Sequence, residues 1–352
     1  MSESTPLIQS QYSYKNDDEE EAAAAPPAAA AAARGGRLGS RVRPSMSWVN
    51  KALFTITGLI LFCAFLYLPY YFTPKAISLS KIANVQTLYT EFDDPFKRLI
   101  FVGDIHGNYM EFTKLLHKVK YNSESDKLVV LGDFVTKGPD SIKTLDYLVK
   151  HNVQCIMGNH EFETLKFYTQ FHHLDAPTFS NTDSANKYKF LPASITQDIT
   201  FNDDFRLAKK LQPEHVKYIN SCPVILHFPK LEIVAVHGGL RPDLTLAEQD
   251  PLDNLDMRAL IGPFFNETTD DPHTPNSVRW YKLYNKADGA VPANNIVYYG
   301  HDAGKGLNLR KFTKGLDSGC NKGKKLSAMI VTGEKRKNGK IELVEELVQV
   351  QC

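Results

Sequence analysis

Four short segments of this 352-residue chain concentrate side chains that ligate metal ions: Gly103-Asp104-Ile105-His106-Gly107, Gly132-Asp133, Gly158-Asn159-His160-Glu161 and His237-Gly238-Gly239. Gly300-His301 adds one more imidazole. Carboxylate and carboxamide oxygens mixed with imidazole nitrogens suit divalent cations. Two such cations about 3.5 to 4 Å apart clamp a phosphate and deprotonate a water, so the chemistry within reach is hydrolysis at phosphorus. Asp133 is the natural bridging ligand. We assign Asp104, His106 and Asp133 to one ion, and Asp133, Asn159, His237 and His301 to the other. Glycines beside these ligands allow sharp turns and close approach of metal and substrate.

Something must carry the ligands to one place. Each segment follows an apolar run rich in β-branched or aromatic residues, at 99–102, 128–131, 153–157, 233–236 and 296–299. Such runs read as buried strands. If each motif begins where its strand stops, all the ligands project from the carboxyl edge of a sheet, where open α/β folds build their sites. Helices are expected over 109–119, 141–150 and 162–171. The stretch 172–226 carries helical patches at 205–211 and 214–218 and is expected to wall the site, and strands at 326–331 and 341–347 complete the second half.

The ordered motifs resemble the phosphoprotein phosphatase superfamily of dinuclear metallophosphatases, whose pattern is GDxHG, GDxVDRG, GNHE, HGG or HAG, then a late GH. The resemblance spans residues 97 to 333 and implies an α/β, calcineurin-like metallophosphoesterase fold: a central β-sandwich flanked by helices, with metals at the sandwich edge. It also implies His160 as general acid. Where protein Ser/Thr phosphatases have Asp-Arg-Gly, this chain reads Thr136-Lys137-Gly138. In those enzymes the Asp pairs with the His of GNHE, so Thr136 leaves His160 without an identified partner. Lys137 keeps a positive charge for a phosphate oxygen but gives up the bidentate fork of Arg.

The loop Gly132 to Ser141, with its Gly-Pro-x-Ser continuation, is similar to the bacterial symmetrical diadenosine tetraphosphatases and their eukaryotic ApaH-like relatives, among them the fungal vacuolar endopolyphosphatases. His237-Gly238-Gly239-Leu240-Arg241-Pro242, Gly300-His301-Asp302-Ala303 and Gly315-Leu316-Asp317-Ser318-Gly319-Cys320 support it. This resemblance implies cleavage of phosphoanhydrides by a metal-bridging hydroxide, with zinc or manganese favoured over iron or cobalt. Protonation by His160 matters less when the leaving group is a phosphate than an alkoxide, so Thr136 is tolerable. Arg279 and then Arg241 are further candidates to hold phosphate, against the alternative of surface ion pairs. The basic residues Lys305, Arg310, Lys311, Lys314, Lys322, Lys324 and Lys325 read either as a solvated face or as a track for a polyanion.

The remaining chain addresses location. Residues 52–72 are apolar and uncharged, long enough to cross a bilayer, which takes about 20 residues. Trp48 and Tyr67, Tyr70 and Tyr71 fit interfacial belts. Arg34, Arg37, Arg41, Arg43 and Lys51 precede the span and Glu91, Asp93 and Asp94 follow it, so the positive-inside rule predicts a type II protein with a lumenal catalytic domain over 85–352. Residues 1–45, with an acidic run and an Ala/Pro tract, are expected to be a disordered cytosolic tail. Within it Glu3-Ser4-Thr5-Pro6-Leu7-Ile8 resembles an acidic dileucine signal read by sorting adaptors on the way to a vacuole or lysosome. Asn266-Glu267-Thr268 is a glycosylation sequon. Cys63 falls in the span; Cys155 in a predicted core strand and Cys320 in a motif-like segment are expected to be buried free thiols, although an oxidising lumen permits disulfides.

The net charge of +1 gives no support for general nucleic-acid binding, and no nucleic-acid partner is expected. Three functions fit: hydrolysis of inorganic polyphosphate in a vacuole lumen, hydrolysis of dinucleoside polyphosphates with Trp280 and Tyr281 stacking a base, and an inactive membrane-anchored polyanion scaffold. The missing Asp-Arg pair places a protein phosphatase well behind.

Overall fold

The computed structural model describes residues 47–72, 75–90, 92, 97–180, 202–286, 295–335 and 341–352. The predicted tail, its sorting signal and the arginines before the span lie outside these residues. The chain divides into two compact units, 1–68 and 69–352. The first contains most of helix α1 (Trp48–Phe72), whose Trp48–Leu68 segment is long and apolar enough to cross a membrane, with mean hydropathy 2.0 and no part buried by protein.

The second unit runs β1 (Val85–Thr87), β2 (Arg98–Val102), α2 (Tyr109–Lys118), β3 (Asp126–Val130), α3 (Ser141–Lys150), β4 (Gln154–Cys155), α4 (Asn159–Phe171), α5 (Asp203–Ala208), α6 (Pro213–Ser221), β5 (Ile225–Phe228) and β6 (Ile233–Val236). It continues through α7 (Pro251–Asp256), β7 (Ala259–Ile261), β8 (Glu267–Thr269), β9 (Ser277–Arg279), α8 (Trp280–Lys286), β10 (Ile296–Tyr299), β11 (Asn308–Leu309), β12 (Thr313–Gly315), β13 (Lys325–Lys335) and β14 (Ile341–Gln351). One sheet has the order β14-β13-β2-β3-β4, a second β1-β5-β6-β10-β12-β11, and a small third sheet β8-β7-β9.

Strand periodicity explains why two sheets stack. Side chains alternate between faces, and Leu99, Phe101, Val129, Leu131, Met329 and Val331 of the first sheet form one buried cluster with Leu226, Phe228, Ile233, Ala235 and Tyr298 of the second. Phe101 stacks on Tyr298 at 4.1 Å and meets Phe228 edge-on at 6.3 Å. The alternate residues Ile100, Val102, Leu128, Val130, Val234, Val236, Val297 and Tyr299 face outward into a second apolar cluster. Helices cover it: α2 contributes Phe112, Leu115 and Leu116, and α3 Leu145 and Leu148, each at three- and four-residue spacing. Strands buried on both faces read as unbroken apolar runs, which is why the sequence locates them.

Three readings change. The 153–157 run forms only the two-residue β4, because Met157 leaves the sheet to donate its N–H to the Pro223 carbonyl at 2.8 Å. Helix α4 starts at Asn159, putting Asn159 and His160 in its first turn rather than in a loop. The expectation of free thiols is wrong: Cys155 bonds Cys222 and Cys320 bonds Cys352. The hydrogen bond of Met157 to Pro223 brings the end of β4 against the end of α6, and Cys352 N–H donates to the Lys324 carbonyl at 2.9 Å, bringing the last residue beside Cys320; spacing along the chain carries neither contact.

The Cys155–Cys222 bond closes a loop of 67 residues. Replacing both cysteines by alanine is expected to lower the unfolding free energy by about 3 kcal/mol, read as a lower guanidinium midpoint. An unchanged midpoint would mean that the cross-link adds nothing to packing already in place.

Candidate metal centre

Strands β2, β3 and β4 are mutually parallel, as are β6, β10 and β12, so their carboxyl ends meet at one edge of the sandwich. Asp104 follows β2, Asp133 follows β3, Asn159 follows β4, His237 follows β6, and His301 follows β10. Asp317, two residues past β12, joins them. His106, Asp133 and His301 adopt left-handed backbone, at φ of 49°, 46° and 67°. Such conformations in side-chain-bearing residues concentrate at functional sites. Gly132 has φ of +79°, and a Cβ there would lie 2.7 Å from His237 Nδ1 and 2.8 Å from the Gly158 Cα. Only glycine lets β3 and His237 converge so closely.

The arrangement provides two ligand triads, Asp104-His106-Asp133 and Asp133-His237-His301, with the candidate atoms in each within 4.8 Å of one another and Asp133 common to both. Asn159 Oδ1 lies 3.1 Å from His237 Nε2 and so joins the second. Each histidine is oriented by a backbone carbonyl. His237 Nδ1 lies 2.7 Å from the Leu131 oxygen, His301 Nε2 2.8 Å from that of Asp256, and His106 Nδ1 3.3 Å from that of Val135. One nitrogen of each ring is thereby engaged and the other turned to the centre, the usual setting of a metal-binding imidazole.

Charge crowding fits cations. Asp104, Asp133, Asp317 and Glu161 are each at most 3 % exposed. Burial and the neighbouring Asp317 push the Asp104 carboxyl well above its usual range. Burial opposes charge on His237, yet Asp133 and its hydrogen bond prevail, and the imidazole is pushed up to about 10. Burial of His106, beside Lys137 and His160, takes it down to about 3, a neutral ring able to ligate. Packed carboxylates in low dielectric call for counter-cations. Two divalent ions fit this donor set.

Glu161 holds the centre from behind. Its carboxylate accepts N–H bonds from Asp133 at 2.7 Å, Gly158 at 3.0 Å and Val135 at 3.1 Å. His160 has a partner that the sequence did not reveal: its Nδ1 lies 2.9 Å from Oδ1 of Asp204. Asp204 comes from α5, whose start is capped by the Asn202 side chain accepting from Asp204 and Phe205 N–H. His160 Nε2 then faces the centre, 3.9 Å from Asp133 Oδ2.

A cleft of about 140 Å³ opens over these ligands, and Lys137, Arg258, Asn321 and Lys322 line it. Lys137 Nζ is 3.4 Å from His106 Nε2. Arg258, which the sequence did not single out, donates to the carbonyls of His301 at 3.2 Å and Asp270 at 3.1 Å. Arg279 pairs with Asp302, and Arg241 with Asp243 at 2.5 Å. Within the basic segment, Lys314 pairs with Glu345 at 2.6 Å and Lys322 borders the cleft. Trp280 and Tyr281 are 1 % exposed, which removes them as a base-stacking surface; Trp280 instead packs edge-on to Tyr299 at 4.9 Å. Asp317 had a sequence signal, a carboxylate two residues past a strand-ending glycine in Gly315-Leu316-Asp317, a spacing one residue longer than in Gly132-Asp133. Asp204 had none, because it lies in an insert with no motif.

Residues 97–305 match the calcineurin-like phosphoesterase family. A zinc-dependent endopolyphosphatase of Saccharomyces cerevisiae is 33 % identical over 303 residues, covering 79 % of this chain and 86 % of that protein. A symmetrical bis(5'-nucleosyl)-tetraphosphatase of Buchnera aphidicola is 45 % identical over 67 residues, 18 % of this chain and 24 % of its own length. A crystal structure provisionally assigned as a diadenosine tetraphosphatase superposes with a TM-score of 0.56 at 26 % identity, covering 75 % of this chain and 98 % of the other.

Sharing of one carboxylate between two triads has a measurable consequence. Asp133→Asn preserves shape while halving the donor oxygens, and elemental analysis of the purified variant is expected to find at most one bound metal where the parent holds two. Full occupancy in the variant would show that Asp133 is not the shared ligand.

Proposed function

Because the chain belongs to the calcineurin-like phosphoesterase family, we propose that it is a metal-dependent hydrolase of phosphoanhydride bonds that cuts inorganic polyphosphate internally. The observation that carries this reading is the pair of triads sharing Asp133 with the His160–Asp204 pair beside them, in a chain similar over most of its length to an endopolyphosphatase. Asp104, His106 and Asp133 would hold one divalent ion, and Asp133, Asn159, His237 and His301 the other. When bound, the ions supply Lewis acidity and a water acidified towards neutrality. Zinc is favoured by the yeast relative's dependence.

The chain's own groups do the rest. Lys137 and Arg258 neutralise phosphoryl oxygens in the cleft, with Lys322 at its edge. Arg279 and Arg241 are engaged by carboxylates and belong to a second rank of candidates. As the water oxygen bonds to phosphorus and the bridging P–O bond breaks, His160 Nε2 gives its proton to the departing phosphate oxygen. Asp204 holds the ring by Nδ1, the task that Thr136 cannot perform. A phosphate leaving group needs little protonation, so anhydride cleavage leans less on His160 than ester cleavage would.

Location extends the proposal. Helix α1 and the basic residues before it support a type II membrane anchor with a lumenal catalytic domain, delivered to a vacuole through the dileucine-like hexapeptide and its adaptor. Asn266 is exposed, as glycosylation requires. The likeness to tetraphosphatases favours a second reading, hydrolysis of dinucleoside polyphosphates.

Zinc- or manganese-loaded full-length protein in detergent is expected to shorten long polyphosphate with little release of free phosphate. Cleavage of diadenosine tetraphosphate alone would instead select the second reading. Asp204→Asn is expected to lower kcat by about 3- to 10-fold with KM little changed, since mispositioning the proton donor spares binding and a phosphate leaving group leans on it only in part. An unaltered kcat would separate Asp204 from the chemistry.

A further inference from the structure

Beside the metal cleft lies a second cavity, of about 470 Å³, and Lys137 lines both. No ligand, donor or acid described above needs it. Its walls are the 136–140 loop, the first turn of α3 and the α5 region, with Lys137, Lys143, Arg206 and Lys210 set against Asp140 and Asp203. Among these described residues cations therefore outnumber carboxylates by two to one. Lys143 pairs with Asp140 at 2.8 Å and Arg206 with Asp203 at 3.4 Å, which fixes the side chains without neutralising the recess.

Two further observations point to an anion. The ten-residue helix α3 presents Ser141, Ile142 and Lys143 to the cavity, and the Asp140 side chain at its cap accepts none of their N–H groups. A helix start with open N–H groups attracts negative oxygen. Thr136, also on the wall, is 3 % exposed, has φ of 65°, and its hydroxyl has no hydrogen-bond partner. Buried hydroxyls are normally paired; this one is closed to water and would meet a ligand oxygen in the recess after a small side-chain rotation. Among the described residues that line it none is aromatic, so none of them would stack a nucleobase.

We infer that this recess is a second subsite, which binds the phosphates of a linear polyphosphate that lie beyond the scissile bond. The inference rests on the polyphosphatase reading for its substrate. Internal cutting requires the chain to continue past the metal centre in both directions, and a cationic recess joined to the cleft through Lys137 supplies one continuation. The α5 region then has two roles. Asp204 turns inward to His160, while Asp203, Arg206, Leu207 and Lys210, at three- and four-residue intervals, line the recess. One segment thus couples positioning of the proton donor to recognition of a long substrate.

The test is binding of long-chain polyphosphate and of tripolyphosphate to the metal-loaded full chain, read by rapid mixing before products accumulate, so that the short anion has the metal centre and the long one also has the recess. The double variant Arg206→Glu, Lys210→Glu changes two exposed side chains. It is expected to weaken long-chain binding about 10-fold and tripolyphosphate binding much less. The neutral pair Arg206→Gln, Lys210→Gln, expected to fall between, keeps the test valid if charge reversal disturbs folding. Equal losses for both chain lengths, no loss, or loss confined to a Lys305→Glu, Lys311→Glu comparator would overturn the subsite. If the parent binds long chains through these residues but its metal-loaded form never cuts them, the recess stands and the polyphosphatase reading falls.

Discussion

Everything at the sandwich edge depends on how buried negative charge is tolerated there. Asp104, Asp133, Asp317 and Glu161 lie within one shielded cluster, and such a group is unfavourable unless cations or N–H donors meet each oxygen. The fold meets part of this demand itself. Glu161 takes three backbone N–H bonds, and Asp104 takes that of His301 at 3.1 Å. Asp133 takes the N–H of His160 at 3.2 Å and faces His237 Nε2 at 3.3 Å, and the oxygens and inward imidazole nitrogens left over are those that metal ions would satisfy. Strain in the left-handed ligand residues is sustained because the strands below are locked between two apolar layers.

That rigidity connects the core to the chemistry. Phe101, Phe228 and Tyr298 join the two sheets, so ligands delivered by β2 and β3 keep register with those delivered by β6 and β10. A site drawn from six strand ends would otherwise vary with every small rotation of one sheet on the other. Loops alone do not give that precision.

The insert carrying α5 shows how a departure from a family pattern is absorbed. Threonine at 136 removes a carboxylate that related phosphatases place beside the acid histidine. Asp204 reaches the same ring from another element. The proposed chemistry calls for an acceptor at His160 Nδ1, while the fold leaves open which strand or helix provides it.

The sequence by itself determined the candidate ligands and the strands that end at them. Both are local: a glycine beside a carboxylate or imidazole after a run buried on both faces is legible from neighbouring residues, and so Asp104, His106, Asp133, Asn159, His237 and His301 could be named as candidates, and the fold brings them to one edge. It also showed the apolar span. Only the tertiary structure decided the rest. Cys155 and Cys320 read as thiols because their partners are 67 and 32 residues away along the chain; Trp280 and Tyr281 offered a stacking surface until packing buried them; and Asp204 and Arg258 acquired meaning from the groups they face. Contacts between distant segments depend on how layers stack, and pairwise spacing along the chain does not encode that.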